Sequence, residues 1–234
     1  MTLGILKQER VGDFIKKVLR SENEWIERFT GMGAFWFHDG NPSRPHALLT
    51  SGNHSHGFFD GSKVIEDPKI LAQAMYDLYI KIQNQGGDIN DTANPWVIGS
   101  ALGAIDLSFQ LGRLLDCRRG FTEPVIGEDG KKTMKLKRFD ILPGSNALVV
   151  EDVFTTGETT RQTITALEEK GIVIWPIIGV LVNRSGENCL NGRQVVALID
   201  RPMPIWSAED CPLCKQGSEA IRPKANWTQL TAQY

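Results

Sequence analysis

Short apolar runs rich in β-branched residues recur along the chain, and segments with helical periodicity separate them. The runs read "WVIGS", "ALVVE", "IVIWPIIGVLVN" and "RQVVALID". Their length and composition predict buried strands. Because strands that alternate with amphipathic helices form parallel sheets covered on both faces, this pattern predicts an α/β fold with a central, mostly parallel sheet flanked by helices.

The clearest helix is predicted to begin at Asp67-Pro68. Asp67 can cap the first turn, and proline suits the first helical position. Further helices are predicted from the residues after "WVIGS" to Leu114, and from the threonines after "ALVVE" to Gly171. The buried stripe of the first helix is predicted to comprise Ile70, Leu71, Ala74, Met75, Leu78 and Ile82.

The two ends of the chain are predicted to be additions to this core. We expect a single domain over residues 1–234, with a core at about 61–200 and a small hood formed by about 1–60 and part of the C-terminal tail. Residues 11–29 carry a helical stripe that is interrupted near Ser21–Asn23. The segment "GAFWFHDGNPSRPHALLTSG" predicts a β-hairpin, because a Gly/Asn/Pro/Ser turn separates its two apolar runs.

Composition restricts the partners more than the fold. The 234-residue chain has 41% hydrophobic residues and a formal net charge of -2 at pH 7. This charge gives no electrostatic reason to expect nucleic acid or an anionic membrane as a partner. No apolar run is long enough to span a bilayer, and the N-terminus lacks a signal-peptide core. A cytoplasmic location is therefore expected.

The four cysteines include one motif, "CPLC", formed by Cys211 and Cys214. Such a pair supplies half of a tetrahedral zinc site, but the sequence offers no second Cys-x-x-C and no His-x-x-x-His to complete it. Reduced thiols in a turn are the favoured interpretation, with a redox dithiol or zinc shared across a dimer as alternatives. His54 and His56 have strand spacing and could share a face, but two histidines without a third ligand favour polar surface or base contacts over a metal site.

The stretch "ALVVEDVFTTGETT" carries the candidate chemistry. Ala147–Val150 is the strand, so Glu151 and Asp152 stand at the carboxyl edge, where open parallel sheets bind ligands. The loop over residues 153–160 leads into a helix N-terminus, whose unpaired amides and dipole favour an anion. Gly157 allows close approach of the backbone. Hydroxyl donors come from Thr155, Thr156, Thr159 and Thr160.

Two acids beside a phosphate would repel it unless they face a different group. Sugar hydroxyls, a metal ion or developing positive charge would suit them, and phosphoribose combines a phosphate with such a group. The spacing matches neither a Walker loop nor a dinucleotide-binding loop. A capped helix start and a solvated acid pair are each common, but a strand, an acid pair, Thr-Thr-Gly and a helix in immediate order are much rarer.

This stretch resembles the phosphoribosyl-diphosphate signature of type I phosphoribosyltransferases, and further segments are similar to orotate phosphoribosyltransferases. "IGSALGAI" resembles that family's pyrophosphate loop, and "LVNRSG" places Arg184 where the family has an arginine that binds orotate. "CPLCKQG" is similar to the tail of some members, and the matches span roughly residues 33–217. "HALLTSGNHSHGFFDG" is similar to the family segment Leu-Lys-Ser-Gly, serine and an aromatic pair, through Ser51, Gly52, Ser55, Phe58 and Phe59.

The resemblance implies the type I phosphoribosyltransferase fold and the transfer of phosphoribose from phosphoribosyl diphosphate to orotate. Mg²⁺ is implied as a cofactor held through the substrate, without direct protein ligands. A homodimer is implied, because the family's sites are shared between subunits. Glu151 and Asp152 would contact the ribose hydroxyls and favour a cationic ring. The other implied contacts are Thr155, Thr156, Gly157, Glu158, Thr159 and Thr160 for the 5′-phosphate, Ser100, Ala101, Leu102 and Gly103 for pyrophosphate, and Thr50, Phe58, Phe59 and Arg184 for the base.

The sequence lacks a lysine at two positions where the family has one. Thr50 stands where the family has the lysine of Leu-Lys-Ser-Gly, and Pro124 stands where a mobile loop carries a catalytic lysine. We hypothesise that Lys131, Lys132 and Lys135 replace the loop lysine. Two alternatives stay open: a type I transferase for another nucleobase, and a regulator that binds phosphoribosyl diphosphate without turnover.

Overall fold

The computed structural model describes residues 19–86, 88–128 and 130–231. Strands and helices alternate through the middle of the chain, as the sequence pattern predicts. The strands are β1 (Phe35–Phe37), β2 (His46–Leu48), β3 (His54–Ser55), β4 (Gly57–Phe59), β5 (Pro95–Ser100), β6 (Arg118–Ile126), β7 (Lys132–Lys135), β8 (Asn146–Phe154), β9 (Val173–Asn183), β10 (Cys189–Leu190), β11 (Arg193–Asp200), β12 (Ile205–Trp206) and β13 (Ala220–Ile221).

The helices are α1 (Glu22–Gly31), α2 (Gly61–Ile65), α3 (Pro68–Gly86), α4 (Ile105–Leu114), α5 (Glu158–Glu168), α6 (Pro212–Lys215) and α7 (Trp227–Thr231). Short 3-10 turns occur at Ile89–Asp91 and Pro223–Ala225. Among the helices that the structure describes, none combines the length and the hydrophobicity needed to cross a membrane.

The central sheet has seven strands in the order β10-β11-β9-β8-β5-β6-β7. Its five inner strands are parallel, and the edge strands β10 and β7 are antiparallel to their neighbours. Helices α1, α3 and α4 share one hydrophobic cluster with one face of the sheet, and α5 packs in a second cluster on the other face. The prediction of a mostly parallel sheet covered on both faces is confirmed.

The predicted helix at Asp67-Pro68 is α3. The Asp67 carboxylate accepts hydrogen bonds from the Lys69 and Ile70 amides at 2.9 and 3.1 Å, so the predicted cap is present. The predicted stripe is buried except for Ile70, which packs partly exposed against the core. The interruption near Ser21 is the start of α1, where Ser21 forms a capping box with Glu24. The part of that predicted stripe before residue 19 lies outside the described residues.

The predicted hairpin between the apolar runs near residues 35 and 47 is wrong. Strand β1 pairs with β4 in a two-stranded sheet, whereas β2 belongs to a four-stranded sheet in the order β12-β3-β2-β13. Aromatic packing accounts for the difference, because Phe35 lies buried against Phe59 with ring centroids 5.4 Å apart. The four-stranded sheet joins residues 46–55 to residues 205–221 of the tail, and we call it the hood sheet.

The polar stretch between residues 118 and 135 forms an antiparallel pair of strands, β6 and β7, which we call the arm. Thr122 of β6 pairs with Ser100, the last residue of β5, so residues 123–126 extend beyond that edge of the sheet. At roughly 3.3 Å per residue, the extension is about 13 Å long. Pro124, where the family has its loop lysine, is an exposed strand residue opposite Met134.

Candidate active site

Predicted site residues from three segments meet at the carboxyl edge of the central sheet, where the parallel strands β5, β8 and β9 end. The turn after β5 carries Ser100–Gly103, the end of β8 carries Glu151 and Asp152, and Arg184 follows β9. The Arg184 amide donates to the Phe154 carbonyl at 2.9 Å, which fixes it beside the loop between β8 and α5. These predicted positions, far apart in the sequence, therefore share one edge.

Asp152 is the meeting point of three segments. A Cβ atom at Gly61, the first residue of α2, would lie 2.9 Å from the Asp152 Oδ2 atom. A Cβ atom at Gly103 would overlap the same carboxylate. The turn after β5, the acid pair and the start of α2 therefore close around a half-buried carboxylate, and only glycine leaves room for it from both sides.

Glu151 faces the interior and differs from Asp152 in its surroundings. Its side chain is 6% exposed, and the Thr160 hydroxyl lies 3.5 Å from its Oε2 atom. Burial, together with the neighbouring charge of Asp152, raises the pKa of Glu151 well above its usual value. The two acids therefore differ: the Glu151 carboxyl group points inward and lies against Thr160 of α5, whereas the Asp152 carboxylate is more accessible at the edge of the sheet.

The loop predicted over residues 153–160 is shorter in the structure. Strand β8 continues to Phe154 and helix α5 begins at Glu158, so only Thr155–Gly157 are outside regular structure. Glu158, Thr159 and Thr160 form the first turn of α5 instead. The Gly157 N-cap has a φ of 72° and provides no side-chain cap. The Glu158 amide donates to the Thr156 hydroxyl oxygen at 3.4 Å, whereas the Thr159 and Thr160 amides have no acceptor among the described residues and are left for an anion.

The turn after β5 offers fewer amides than predicted. The Ala101 amide donates to the Thr122 carbonyl at 2.8 Å, which removes it from the candidate pyrophosphate donors. The amides of Leu102 and Gly103 have no acceptor within residues 19–86, 88–128 and 130–231. The Leu102 side chain is 83% exposed. Two amides of the predicted four-residue turn are thus available at its tip.

A buried hydroxyl network anchors this turn to the helix behind it. The Thr163 Oγ1 atom of α5 lies 3.1 Å from the Ser100 Oγ atom and 2.8 Å from the Thr122 Oγ1 atom. All three side chains are buried. The Ser100 hydroxyl is therefore a structural tie between β5, β6 and α5, and it does not point out as a ligand donor.

Phe58 and Phe59, both predicted to contact the base, are neighbours on strand β4. Successive side chains of a strand point to opposite faces. Phe59 is buried in the core against Phe29 and Phe35, and Phe58 faces Trp227 with ring centroids 6.4 Å apart. The two rings therefore serve different packing clusters.

Arg184 lies between the core and the hood sheet. Its Nη2 atom donates to the Ser55 hydroxyl at 3.0 Å, while its buried Nε atom has no hydrogen-bond partner among the described residues. Burial lowers the pKa of Arg184 to about 10, which leaves it charged at neutral pH. A buried cationic donor without an acceptor is costly, so the site is suited to an anionic ligand.

His56, for which the sequence favours polar surface or a base contact, places a second buried polar atom beside the hood sheet. Its Nδ1 atom is buried and has no partner in the described part of the chain. Burial lowers the pKa of His56, and the nearby Arg184 charge lowers it further. His56 stands between Phe37 and Trp206, with ring centroids at 6.2 and 5.8 Å, so it adds a flat polar surface near the arginine.

Thr50 is exposed in the loop between β2 and β3, where it supplies no charge. Two cationic side chains from the C-terminal tail lie near this loop and near the start of α2. Arg222 donates to the Leu49 carbonyl at 2.7 Å, and the Lys224 Nζ atom lies 2.9 Å from the Asp60 carboxylate, next to Gly61. Both cations are more than 160 residues from their partners in sequence, with separations of 173 and 164, so no local pattern could reveal them.

The three candidate lysines lie on or beside the arm, but in different places. Lys132 pairs with Ile126 near the tip of the arm, and Lys131 immediately precedes it. The Lys135 Nζ atom binds the Glu169 carboxylate at 3.1 Å, at the C-terminal end of α5 and away from its phosphate-facing N-terminus. Within one subunit, the structure therefore separates Lys135 from the site.

Comparison with known proteins agrees with this geometry. No family model matches the sequence. The chain is 33% identical over 203 residues to the orotate phosphoribosyltransferase of Desulforamulus reducens, covering 87% of this chain and 96% of that protein. It is 37% identical over 179 residues to the orotate phosphoribosyltransferase of Caldicellulosiruptor bescii, covering 76% and 87%.

The crystal structure of orotate phosphoribosyltransferase from Aeropyrum pernix superposes with a TM-score of 0.58 at 23% identity, covering 74% of this chain and 92% of that one. The predicted type I phosphoribosyltransferase fold is thereby confirmed. With relatives above 30% identity along nearly their whole length, the chain belongs to the orotate phosphoribosyltransferase family.

Proposed function

We propose that this protein transfers the phosphoribosyl group of phosphoribosyl diphosphate to orotate, giving orotidine 5′-phosphate and pyrophosphate. The bond between the anomeric carbon and the pyrophosphate oxygen breaks, and its electron pair leaves with pyrophosphate. A ring nitrogen of orotate supplies the pair for the new bond, and its proton is released to solvent. The observation that carries the proposal is the close approach of Gly61 and Gly103 to the Asp152 carboxylate. This carboxylate lies near the N-terminus of α5, where the Gly157 N-cap provides no side-chain cap. The test is consumption of orotate in the presence of phosphoribosyl diphosphate and Mg²⁺.

The chain's own groups account for the two phosphate ends of the donor substrate. The Thr159 and Thr160 amides at the start of α5, with the hydroxyls of Thr155 and Thr156, bind the 5′-phosphate. The Leu102 and Gly103 amides bind the pyrophosphate. With both ends held, the anomeric carbon between them lies beside Asp152, so positioning converts much of the binding energy into rate.

Asp152 acts where positive charge develops. As pyrophosphate leaves, the ribose ring becomes oxocarbenium-like, and a fixed carboxylate beside it is worth more in this half-buried site than in water. Its acceptor atoms also suit the ribose hydroxyls. Glu151 supports it from behind by holding Thr160 of the phosphate-binding turn, so its part is positioning.

The residues present fit Mg²⁺ as a substrate-held cofactor. Magnesium prefers oxygen ligands and usually retains several waters, and the Asp152 carboxylate forms no salt bridge with any residue that the structure describes. Asp152 would hold such an ion through its waters if Mg²⁺ enters with the substrate. Mg²⁺, when bound, supplies positive charge to the leaving pyrophosphate.

The base side favours an anionic, planar acceptor. The unpaired Nε atom of Arg184 offers a charged hydrogen bond to a carboxylate such as that of orotate. The Nδ1 atom of His56 offers a further polar contact, and the ring itself offers a flat surface. Uracil and the purine bases lack that carboxylate, so they would leave the arginine donor unpaired.

Arg184→Gln is expected to raise the KM for orotate by about 10–100-fold, because a charged hydrogen bond contributes roughly 1.5–3 kcal/mol. The KM for phosphoribosyl diphosphate should change little. Steady-state kinetics with each substrate varied in turn gives the comparison. Arg193→Gln is the matched control. Arg193, at the start of β11, forms its ion pair with Glu168 at the end of α5. An equal rise in both KM values would contradict base recognition by Arg184.

We further propose a homodimer in which the arm of one subunit completes the site of the other, and a cytoplasmic location in keeping with the free thiols. The arm extends beyond the sheet edge and exposes Ile126 at its tip, 66% accessible. A strand pair that projects beyond its own sheet can reach the site of a second subunit. Lys131 and Lys132 would then bring positive charge to the leaving pyrophosphate of the neighbouring site.

Replacing Lys131 and Lys132 together with alanine is expected to lower kcat by about 10²-fold, the cost of losing charged donors to a leaving group. Lys135→Ala is the control and should retain nearly full rate, because Lys135 is held by Glu169. Mixing the double variant with Asp152→Asn subunits should restore activity, since one hybrid site is intact. Failure to recover activity, in hybrids verified by mass spectrometry, would refute the shared site.

A further inference from the structure

A cluster of metal-ligating side chains lies in the hood sheet, away from the sheet edge that forms the candidate active site. His46 and His54 come from β2 and β3; Cys211 caps the short helix α6 of the tail, and Cys214 lies within it. One ligand atom from each residue lies within 4.8 Å of the other three. The sequence contains no second motif that completes the "CPLC" pair, but the structure brings two separate histidines to it.

The pairing of histidines also differs from the sequence interpretation. His54 does not share the cluster with His56; it shares the cluster with His46, which lies diagonally across the antiparallel pair β2–β3. Diagonal residues of such a pair point to the same face. His46 is 165 residues from Cys211 in sequence, so short-range ligand spacing could not indicate the site.

The distances fit a tetrahedral ion. The His46 Nε2 and His54 Nδ1 atoms are 3.0 Å apart. The Cys214 Sγ atom lies 3.5 Å from the first and 3.2 Å from the second, and the Cys211 Sγ atom lies 3.5 Å from His46 Nε2. Around tetrahedral zinc, nitrogens are about 3.3 Å apart and nitrogen and sulfur about 3.6 Å apart, given its usual bond lengths. These four distances thus lie within a few tenths of an ångström of zinc-site spacing, and all four ligand atoms lie within 4.8 Å of one another.

A second layer of hydrogen bonds orients His46 toward the cluster. The Ser218 hydroxyl donates its proton to the Arg44 carbonyl at 2.5 Å and lies 2.8 Å from His46 Nδ1. Because the Ser218 proton is already donated to the Arg44 carbonyl, the His46 Nδ1 atom must carry a proton and donate it to the Ser218 oxygen. The lone pair of the imidazole is then on Nε2, facing the other three ligands, as in zinc sites whose histidines are fixed by an outer partner.

We propose that His46, His54, Cys211 and Cys214 bind a structural zinc ion. Two thiolates and two neutral imidazoles balance the charge of Zn²⁺, and four protein ligands leave no open position for a substrate. Three of the four side chains are buried. The ion joins the β2–β3 pair to the tail and thereby holds β3, whose Ser55 accepts the Arg184 hydrogen bond. The inference stands on these residues alone and is independent of the proposed reaction.

The test is the metal content of full-length protein purified without chelator from zinc-containing medium. We expect one zinc per chain by elemental analysis, and loss of that zinc in Cys214→Ser. Cys117→Ser and Cys189→Ser change the two cysteines outside the cluster and should keep it. Ser218→Ala is expected to weaken zinc binding by roughly 10–100-fold, and Ser218→Thr to restore it. Equal zinc content in the wild type and Cys214→Ser would overturn the site.

A measurement on the wild type guards against a variant that merely fails to fold. Exchange of the metal for Co²⁺ should give the intense visible bands of tetrahedral cobalt with thiolate charge-transfer bands. Six-coordinate cobalt spectra, or a Cys211–Cys214 disulfide found by mass spectrometry in protein purified under reducing conditions, would overturn the proposal. A thiol-blocking reagent should release the zinc as it modifies the Cys211 and Cys214 thiols. The unfolding temperature should fall when the zinc is released.

Discussion

Asp152→Asn is expected to lower kcat for orotate phosphoribosylation by about 10²–10³-fold, the usual cost of removing one preorganised electrostatic group from a closed site. The substitution keeps the size of the side chain, so the close approach of Gly61 and Gly103 is preserved. What changes is the charge. A neutral amide cannot stabilise an oxocarbenium-like ring, and its NH₂ group replaces an acceptor for the ribose hydroxyls.

Two companion variants make this result specific. Asp140→Asn removes an exposed acid that precedes β8, and should leave the kinetics unchanged. Glu151→Gln should cost much less than Asp152→Asn, because Glu151 faces the Thr160 hydroxyl in the interior. Steady-state kinetics and calorimetric binding of phosphoribosyl diphosphate are the measurements. Wild-type rates in Asp152→Asn would remove the role assigned to this carboxylate.

Gly157→Ala is the second substitution with a large expected effect. Gly157 has a φ of 72°, and an added Cβ would lie 2.7 Å from the Phe154 Cζ atom and 3.1 Å from the Leu190 Cδ1 atom. The left-handed backbone costs an L-residue about 1–2 kcal/mol, and forcing an extra methyl group into a packed site costs about 1–3 kcal/mol. We expect the free energy of unfolding to fall by about 2–5 kcal/mol.

The same variant should bind phosphoribosyl diphosphate at least 10-fold more weakly, about 1.4 kcal/mol, because the amides at the start of α5 shift with the loop. Gly144→Ala is the matched control: its φ is 82°, yet nothing lies within 4 Å of an added Cβ. It should show only the backbone cost and normal binding. Denaturant unfolding and calorimetry separate the two effects, and equal losses in both variants would contradict a packing role at Gly157.

The sequence pattern predicts the parallel core well because its signals are local. A run such as Ala147–Val150 is apolar throughout, since both faces of an inner strand are covered. The cap at Asp67 and the buried stripe of α3 likewise depend only on residues that are close together in the sequence. The edge location of Glu151 and Asp152 follows from the strand itself, because ligand sites of parallel sheets lie beyond the carboxyl ends.

The features that the sequence does not reveal depend on pairing between distant segments. Strand β1 pairs with β4 and not with the next apolar run, and the difference comes from Phe35 packing on Phe59. The zinc-type cluster and the tail cation Lys224 likewise require residues more than 150 positions apart to meet. The split roles of Phe58 and Phe59 follow once the segment is known to be a strand.

The measurement that tests the central claim most directly is a single reaction of the purified protein with phosphoribosyl diphosphate, Mg²⁺ and orotate. Loss of orotate absorbance is followed beside chromatographic detection of the nucleotide and an assay of pyrophosphate. Uracil, hypoxanthine and xanthine serve as competing acceptors. The account predicts orotidine 5′-phosphate and pyrophosphate in equal amounts, only with orotate. Binding of phosphoribosyl diphosphate without turnover of any base, or transfer to another base in preference to orotate, would contradict it.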